Sequence, residues 1–380
     1  MNNQGKKLKI LMIGPFPDPI TGMSVSNQML LSGLKENGHE VEFIDSNAER
    51  TFTSLAAQGN FSVKKILNSL RPIAIGCYKI LFEKFDIVYV TPAQSYLGFL
   101  KYTPFINVAK FKKIKCFLHF HGGFVRIMYD SVDAKKQETL KSYFNKSTGI
   151  IVLGNSLTKM FDGVIDKDKV FVCENGVQDE YMLNEKQFNK RLDDNKEIEE
   201  LKILYLSNLM LSKGILDLLK ACLILKKENY KFHLDLAGGI EEEIVEPVNS
   251  MIKELGDNVT YHGVVKGYKK SALLKSNNVF CLPTYYPNEG QPISILEAMG
   301  NGLAIITTYQ GGIIDIFKDG VNGVKCIKED PNSICEAIKK CSLGYTKFAK
   351  KNYYECLANY NRKEFVGRIE NIIIKQQRRT

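Results

Sequence analysis

The sequence predicts an α/β protein with two doubly wound parallel sheets that face a cleft. Short apolar segments alternate with helical patterns along most of the 380 residues. A polar stretch, residues 184–202, interrupts this alternation and is interpreted as a linker with an entry loop, after which the pattern starts again. The length suits two domains of about 150 residues or more. We therefore predict a first domain of residues 1–183 and a second domain that begins at residue 184.

The first half opens with a strand–helix–strand unit. Residues 9–13 have the apolar character of a buried strand, and a helical pattern runs from Ser24 to about Gly38. Residues 41–45 predict a second strand, and such a unit requires a parallel sheet with a right-handed crossover. The remaining strands predicted in this half are residues 87–90, 116–120, 150–153 and 170–173.

The second half repeats the alternation of strands and helices. Its predicted strands are residues 203–207, 233–237, 259–262, 278–282 and 304–307. The chain ends with a predicted helix, residues 364–379, whose apolar side chains Val366, Ile369, Ile372 and Ile373 share one face. Ligands of doubly wound sheets bind beyond the carboxyl ends of the strands. We therefore expect functional residues in the loops that follow strands.

The composition excludes several classes of protein. Hydrophobic residues make up 44% and charged residues 25% of the chain, which is ordinary for a globular protein. The longest apolar runs, residues 148–154 and 279–286, are far shorter than the ~18 residues that span a bilayer. The first ten residues do not resemble a secretory signal, because lysines lead directly into a strand. The nine cysteines include no Cys-x-x-Cys pair, so we expect free thiols in a reducing cytoplasm.

The net charge of +10 is unevenly distributed. Residues 61–146 hold 15 Lys and Arg against five Asp and Glu, an excess that equals that of the whole chain. Basic amphipathic surfaces of this kind bind anionic membranes, and a solvated lysine-rich surface is the alternative. We expect no nucleic-acid binding, because no recognition module accompanies the charge. The prediction depends on the helical repeat Val63, Ile66, Leu67 and Leu70 and on the lysines Lys110, Lys112, Lys113 and Lys115.

Residues 282–323 contain the strongest candidate site. Pro292 suits the first turn of a helix, and Glu289, Gly290 and Gln291 precede it. The free N–H groups and the dipole of a helix N-terminus favour an anion, and Gly290 permits its close approach. Glu297 lies further along the helix, so two carboxylates flank this anion site and could bind hydroxyl groups. A sugar–diphosphate–ribose ligand matches this order, whereas the alternative is a helix whose acids only stabilise its dipole.

Glu289 and Glu297 stand in the segment EGQPISILEAMGNGLAII, and the pair Gly311-Gly312 and residues 320–323 follow it. This pattern resembles the signature of the retaining GT-B glycosyltransferases of family 4, and the resemblance extends over nearly the whole chain. It implies a GT-B fold with two Rossmann-like domains. The second domain would comprise residues 184–361, and a final helix, about residues 362–380, would return to the first. The other matching segments are Gly22, Phe120-His121-Gly122, Asn175-Gly176-Val177, residues 206–214 and Gly238-Gly239.

The resemblance also implies roles for individual residues. Glu297 would bind the ribose hydroxyls, Glu289 would bind the transferred sugar, and Lys213 would neutralise the leaving phosphate in place of a metal. His121 would contact the donor sugar, and no metal or other cofactor is expected. The implied catalytic residues are His121, Lys213 and Glu289. The implied donor-binding residues are Gly22, Asn208, Lys213, Val265, Glu289, Gly290, Gln291, Pro292, Ile293 and Glu297.

Two segments depart from the family pattern. Ser207-Asn208 replaces the usual Gly-Arg, so one of the two cations expected near the diphosphate is missing. Gly22-Met23 replaces a Gly-Gly pair that is frequent in the amino-terminal loop of the family. Of the two histidines at the end of one strand, His119 and His121, we expect the side chains on opposite faces and His121 in the functional position.

The implied function is retaining, metal-independent transfer of a sugar from a nucleotide sugar, by default a UDP-sugar. The acceptor would be a glycan or a polyprenyl-diphosphate-linked glycan in cell-surface polysaccharide synthesis, such as O-antigen or capsule. The enzyme would act in the cytoplasm at the inner face of the plasma membrane, where the basic segment would present the acceptor beside His121. The alternatives are a GT-B hydrolase or sugar-nucleotide epimerase and, favoured only by Asn208, an inactive nucleotide-sugar-binding partner in an assembly.

Overall fold

The computed structural model describes residues 7–46, 63–195 and 197–377, with the side chains of residues 63–69 and 377 outside the description. The chain forms two compact units, Met1–Asn175 with Arg362–Thr380, and Gly176–Asn361. The first boundary lies before residue 183, because residues 177–183 are bonded to the second unit. The Val177 N–H donates to the Tyr360 carbonyl at 2.7 Å, and the Leu183 N–H donates to the Gly300 carbonyl at 3.2 Å.

The first unit contains a six-stranded parallel sheet. Its strands are β1 (Lys9–Gly14), β2 (Glu40–Asp45), β3 (Ile87–Val90), β4 (Lys115–Phe120), β5 (Gly149–Val152) and β6 (Val170–Val172), in the order β2-β1-β3-β4-β5-β6. Its helices are α1 (Gly22–Glu36), α2 (Val63–Phe82), α3 (Tyr96–Leu100), α4 (Thr103–Phe111), α5 (Val125–Asp130) and α6 (Ala134–Lys146). The predicted apolar face of Val63, Ile66 and Leu67 lies outside the described side chains.

Helix α1 begins earlier than the sequence pattern suggests. The Thr21 side chain accepts a hydrogen bond from the Ser24 N–H at 3.1 Å, and the Ser24 hydroxyl accepts one from the Thr21 N–H at 2.9 Å. This reciprocal cap satisfies two backbone donors at the helix start. Gly22 therefore becomes the first helical residue, two positions before the predicted start at Ser24.

The second unit contains another six-stranded parallel sheet, in the order β12-β11-β10-β7-β8-β9. The strands are β7 (Leu201–Leu206), β8 (Phe232–Ala237), β9 (Val259–Tyr261), β10 (Val279–Leu282), β11 (Ala304–Thr307) and β12 (Gly323–Lys325). The helices are α7 (Glu185–Asp194), α8 (Ile215–Lys227), α9 (Val245–Leu255), α10 (Gly267–Ser276), α11 (Ile293–Gly300) and α12 (Pro331–Asn359). All five strands predicted for this half are present, and β12 is additional.

Helix α13 (Arg362–Gln377) belongs to the first unit and packs on α1. Its residues Phe365, Val366, Ile369 and Ile373 are buried with Met29, Leu30 and Leu34 of α1. A methyl group on Gly33 would lie 2.4 Å from Val366 Cγ2, so the absence of a side chain there allows the close packing of the two helices. The predicted end of this helix at residue 379 lies outside the described residues.

The polar linker predicted over residues 184–202 is wrong in its first half, because α7 occupies it. Asn184 caps this helix, since its side chain accepts from the Gln187 N–H at 2.9 Å. The helix buries Phe188, whose ring stacks on that of Tyr353 at 3.9 Å between centroids. It also buries Arg191, whose guanidinium donates to the Tyr345 hydroxyl and the Lys275 carbonyl. A cap and two anchored side chains therefore stabilise a helix with few apolar residues.

All nine cysteines carry free thiols, and eight of them are buried. Across the described parts of the chain, no helix combines the length and the apolar character that a bilayer crossing requires.

Candidate active site

The loop between β10 and α11 carries the first carboxylate of the candidate site. Glu289 is 5% exposed, and its N–H donates to the Tyr286 carbonyl at 3.0 Å. The loop after β11 packs against it, because the Gly312 N–H donates to the Gly290 carbonyl at 2.8 Å. Gly311 has φ +55°, and a Cβ there would lie 1.9 Å from the Glu289 carbonyl oxygen. Gly311 is therefore required for the close contact of these two loops.

Lys213 and Thr284 contact one oxygen of this carboxylate. Lys213 Nζ lies 2.6 Å from Glu289 Oε2, and the Thr284 hydroxyl donates to the same oxygen at 2.9 Å. Lys213 Nζ also lies 4.8 Å from the centre of the Tyr286 ring. Gly214 follows in a left-handed conformation, φ +73°, and a Cβ there would lie 2.4 Å from the Pro283 carbonyl oxygen. This glycine brings the turn that carries Lys213 against the loop that carries Glu289.

Lys270, which stands in none of the sequence motifs, contacts the second carboxylate. Glu297 in α11 is 1% exposed, and Lys270 Nζ in α10 lies 2.6 Å from its Oε1. Lys270 Nζ also lies 4.2 Å from the centre of the Tyr181 ring. Burial raises the pKa of Glu297 above its ordinary value of 4.5, and the Lys270 ammonium opposes this rise. No pattern in the sequence pairs these two residues, which are 27 positions apart.

The start of α11 lies between the two carboxylates in the chain. Pro292 is the residue that precedes the helix, and no side chain caps the first turn. Gly290 and Gln291 are buried, and Ile293 begins the helix. The first N–H groups of such a helix, with the positive end of its dipole, form a favourable environment for an anion. The structure thus brings together Glu289, Gly290, Gln291, Pro292, Ile293, Glu297 and Lys213.

Asn208 and Val265 lie in the loops that follow β7 and β9. Asn208 is exposed, and its carbonyl accepts a hydrogen bond from the Tyr205 hydroxyl at 3.0 Å. Val265 is half-buried and packs on the core of the second unit, whereas its neighbour Val264 is 69% exposed. Both loops follow strands of one parallel sheet and therefore lie at its carboxyl edge, as do the loops of Lys213 and Glu289.

His121 and Gly22 belong to the first unit. The prediction that His119 and His121 point to opposite faces is wrong, because their ring centroids are 4.0 Å apart. Side chains alternate along a strand, so residues two positions apart share a face. Burial lowers the pKa of His121 to about 3, and burial together with His121 lowers that of His119. Both imidazoles are therefore neutral at physiological pH. Gly22 lies in the first turn of α1 and is exposed.

The expected position of the basic lysines beside His121 requires correction. Lys115 begins β4, whereas His121 follows the other end of that strand, about 20 Å away at ~3.3 Å per residue. Lys110, Lys112 and Lys113 precede β4 and therefore lie at the amino edge of the sheet. Lys115 is partly buried, and its ammonium donates to the Gln376 carbonyl of α13. It therefore has a structural partner and is not a free surface lysine.

Comparison with known proteins adds to this geometry. Residues 186–364 match the family model described as Glycosyl transferases group 1. An uncharacterized glycosyltransferase from Methanocaldococcus jannaschii is 26% identical over 92% of this chain and 94% of its own length. CapM of Staphylococcus aureus, a capsular polysaccharide biosynthesis glycosyltransferase, is 26% identical over 51% of this chain and 52% of its own. HepE from Anabaena, solved with UDP and glucose, has a TM-score of 0.71 at 14% identity and covers 97% of this chain and 100% of its own. The predicted fold class, GT-B, is confirmed.

Proposed function

We propose that this chain, which carries a glycosyltransferase group 1 segment on a GT-B fold, is a retaining, metal-independent glycosyltransferase. Its donor would be a nucleotide sugar, by default a UDP-sugar. Its acceptor would be a glycan or a polyprenyl-diphosphate-linked glycan in cell-surface polysaccharide synthesis, such as O-antigen or capsule. The observation that carries the proposal is the arrangement of two Glu–Lys pairs with buried carboxylates, one before and one within a helix whose start has no side-chain cap.

In each of the two carboxylates, Glu289 and Glu297, one oxygen is in contact with a lysine. Lys213 and Thr284 contact Oε2 of Glu289, and Lys270 contacts Oε1 of Glu297. In the described parts of the chain, the other oxygen of each carboxylate accepts no hydrogen bond from the protein. These oxygens suit hydroxyl donors, while the helix start between them suits a diphosphate. The transferred sugar would then lie at Glu289, the diphosphate at the helix start and the ribose at Glu297. The complex of HepE with UDP and glucose is consistent with this class of donor.

The chemistry would depend on stabilisation of the leaving group. In a retaining reaction without an enzymic nucleophile, the acceptor attacks on the face from which the diphosphate departs. The negative charge that grows on the diphosphate would be stabilised by the Lys213 ammonium and by N–H groups at the start of α11. Asn208 carries no charge, so Lys213 has a larger share of this work than in relatives with an arginine there. His121 would contact the donor sugar as a neutral imidazole.

The membrane contact would lie at the amino edge of the first sheet. The ends of α2 and α4 present Tyr78, Phe82 and Phe111, which are 62%, 72% and 78% exposed. Ile87 and Lys115, the first residues of β3 and β4, are paired in the sheet, so Phe82 and Phe111 precede neighbouring positions. Exposed lysines accompany these rings, and aromatic residues with lysines favour an anionic membrane surface. We name this surface the amino-edge patch: Tyr78, Phe82, Lys110, Phe111, Lys112 and Lys113.

The experiment that tests the donor class is a panel of nucleotide sugars with thermal unfolding as the readout. A ligand at 100 times its Kd stabilises the protein by about 2.7 kcal/mol, which is readily measured. Consumption of the stabilising donor is then followed with and without a glycan acceptor, in the presence of EDTA. Dependence on acceptor is expected, whereas turnover of donor alone would favour the hydrolase or epimerase. Donor binding without any turnover would favour the inactive assembly partner.

Lys213→Met gives a sharper prediction on the same reaction. We expect kcat to fall about 100-fold with a smaller effect on donor affinity, because the leaving-group charge grows in the transition state. Lys220→Met, an exposed lysine of α8, is the matched control and should leave both constants unchanged. A Lys213→Met enzyme with unchanged kcat, or an enzyme that EDTA inactivates, would contradict the metal-free mechanism.

A further inference from the structure

Lys270 lies outside the motif that contains Glu289 and Glu297, yet it contacts one of these two carboxylates. Its ammonium is 2.6 Å from Glu297 Oε1, and the lysine side chain is only 18% exposed. The two residues are on different helices, α10 and α11. Lys213 lies on a separate loop and contacts the other carboxylate. Lys270 therefore has its own partner within the candidate site.

We propose that Lys270 is a positioning residue for donor binding, which keeps Glu297 ionised and orients its carboxylate toward the ribose hydroxyls. The inference rests on the proposed function, because that function assigns the ribose to Glu297. Lys270 would act through Glu297 and not by touching the reacting atoms. The ligand class that it would favour is a nucleotide with a free 2′,3′-diol.

The burial of Glu297 disfavours its ionised form. A carboxylate that is removed from water loses hydration, so it takes up a proton unless a partner compensates. Burial and the nearby charge of Glu180 raise the pKa of Glu297, while the Lys270 ammonium lowers it. The other titratable groups around this carboxylate are Tyr181, which precedes α7, and Cys356 of α12. Lys270 is thus the cation that opposes protonation of Glu297.

A hydrogen-bonded framework holds the pair in place. The Asn301 amide donates to the Tyr181 carbonyl at 2.6 Å and to the Glu297 carbonyl at 2.8 Å. The Tyr181 hydroxyl accepts from the Gly267 N–H at 3.2 Å, at the start of α10. Tyr181 is therefore joined both to the end of α11 and to the start of α10. The Lys270 ammonium over the Tyr181 ring adds a cation–π contact within this framework.

The oxygen that Lys270 leaves available determines the ligand chemistry. Lys270 contacts Oε1 of Glu297, and Oε2 accepts no hydrogen bond from the described residues. An ionised carboxylate only accepts hydrogen bonds, whereas a protonated one also carries a donor and is a weaker acceptor. A diol donates two hydroxyl protons and therefore favours the ionised form. Loss of Lys270 should weaken binding most where Glu297 becomes protonated.

The test compares UDP with 2′,3′-dideoxy-UDP, and binding is measured by calorimetry from pH 6 to pH 9. Wild type should bind UDP at least tenfold more tightly than the dideoxy analogue, a difference of about 1.4 kcal/mol or more. Lys270→Met should lose most of this preference at pH 7 and regain it toward pH 9, as Glu297 ionises. Lys270→Arg should restore the preference at pH 7. Lys269→Met, an exposed neighbour on α10, is the matched control and should behave as wild type.

The outcomes separate this inference from the proposed function. If wild type binds UDP and the dideoxy analogue equally, the assignment of ribose to Glu297 is wrong. If wild type prefers UDP and Lys270→Met keeps that preference at pH 7, the proposal for Lys270 alone is wrong. A loss of affinity that is equal at every pH would indicate a merely structural role. Should Lys270→Met fold poorly, Lys270→Met is compared in a Glu297→Gln background, where it should no longer change UDP affinity.

Discussion

The His119 ring is buried and contacts the half-buried ring of His121, and the protonation of both couples to folding. Burial lowers the pKa of His121 to about 3, whereas an unfolded histidine has a pKa near 6.5. Above pH ~6.5 the imidazole is neutral in both the folded and the unfolded chain, so it does not reduce the free energy of unfolding. As the pH falls from ~6.5 toward 3, the unfolded chain takes up a proton that the folded chain does not, and stability is lost.

His121→Gln should therefore reduce the dependence of stability on pH. One such histidine contributes a slope of about 1.4 kcal/mol per pH unit below pH ~6.5, and the variant should lose about that slope. Urea unfolding followed by circular dichroism between pH 5 and pH 7.5 measures it. The slope and not the absolute stability is the readout, since the substitution also changes packing. Parallel curves for wild type and variant would show that the imidazole does not titrate as its burial requires.

The residues of the candidate site differ in how far sequence alone could identify them. Glu289, Glu297 and Lys213 stand in motifs with a recognisable spacing, and the structure places Lys213 2.6 Å from Glu289. Lys270 has no such motif, because its contact with Glu297 joins two helices through tertiary packing. No motif identifies Thr284 either, although its hydroxyl donates a hydrogen bond to Glu289. A sequence motif can identify a functional residue, but it cannot identify a second residue that contacts the first only through tertiary packing.

The alternation of apolar segments with helical patterns was sufficient to predict both parallel sheets. Helix α7 was missed because its sequence is almost wholly polar, and a capping box with two buried side chains stabilises it instead. Strand β12 was missed because it has only three residues and begins with Gly323. Backbone pairing with β11 forms this strand. The close approach of the two strands requires glycine at position 323, because a Cβ there would lie 1.9 Å from the Ile305 carbonyl oxygen. Elements that depend on caps or on a neighbouring strand carry little periodic signal.

Gly311, after β11, lies against the backbone of Glu289. Gly311→Ala should displace the loop of Glu289, because its Cβ would lie 1.9 Å from the Glu289 carbonyl oxygen at a φ of +55°. We expect a stability loss of about 1–3 kcal/mol together with at least a tenfold loss of nucleotide-sugar affinity. Thermal unfolding and calorimetric titration measure the two effects.

Gly320→Ala is the matched control for this substitution. Gly320 also has a positive φ, +70°, but no atom lies within 4 Å of the position that its Cβ would occupy. The control should therefore show the backbone strain without displacing the loop of Glu289. If Gly311→Ala and Gly320→Ala bind donor equally well, the contact between the two loops does not support the site.

The excess positive charge and the candidate active site lie in different parts of the chain. The Glu–Lys pairs lie in the second unit, and the excess of +10 lies in residues 61–146, within the first unit. The proposed attraction to an anionic surface would depend on this excess and would be screened over roughly 8–10 Å in physiological salt. In the proposed function, donor binding would depend on the two Glu–Lys pairs, whose atoms lie 2.6 Å apart around buried carboxylates, and should be much less sensitive to salt. The two activities should therefore be separable by mutation.

The amino-edge patch provides the means to separate them. Replacement of Lys110, Lys112 and Lys113 with Glu should abolish binding to vesicles rich in anionic lipid, because each lysine contributes up to ~1 kcal/mol at such a surface. Nucleotide-sugar affinity should not change, and Lys115 is left intact because it bonds to Gln376. Co-sedimentation of the wild type with vesicles should also be reversed by about 0.5 M salt, where screening is nearly complete at this range.

The matched control reverses three exposed lysines of the second unit, Lys227, Lys253 and Lys340, and so changes the net charge by the same amount. It should retain vesicle binding if the position of the charge matters, and it should lose binding if only the total charge matters. The amino edge lies about 20 Å along β4 from His121, so a membrane at this edge would favour an acceptor whose glycan extends away from the lipid. Equal binding of the wild type to neutral and anionic vesicles, or none to either, would leave a soluble acceptor as the better assignment.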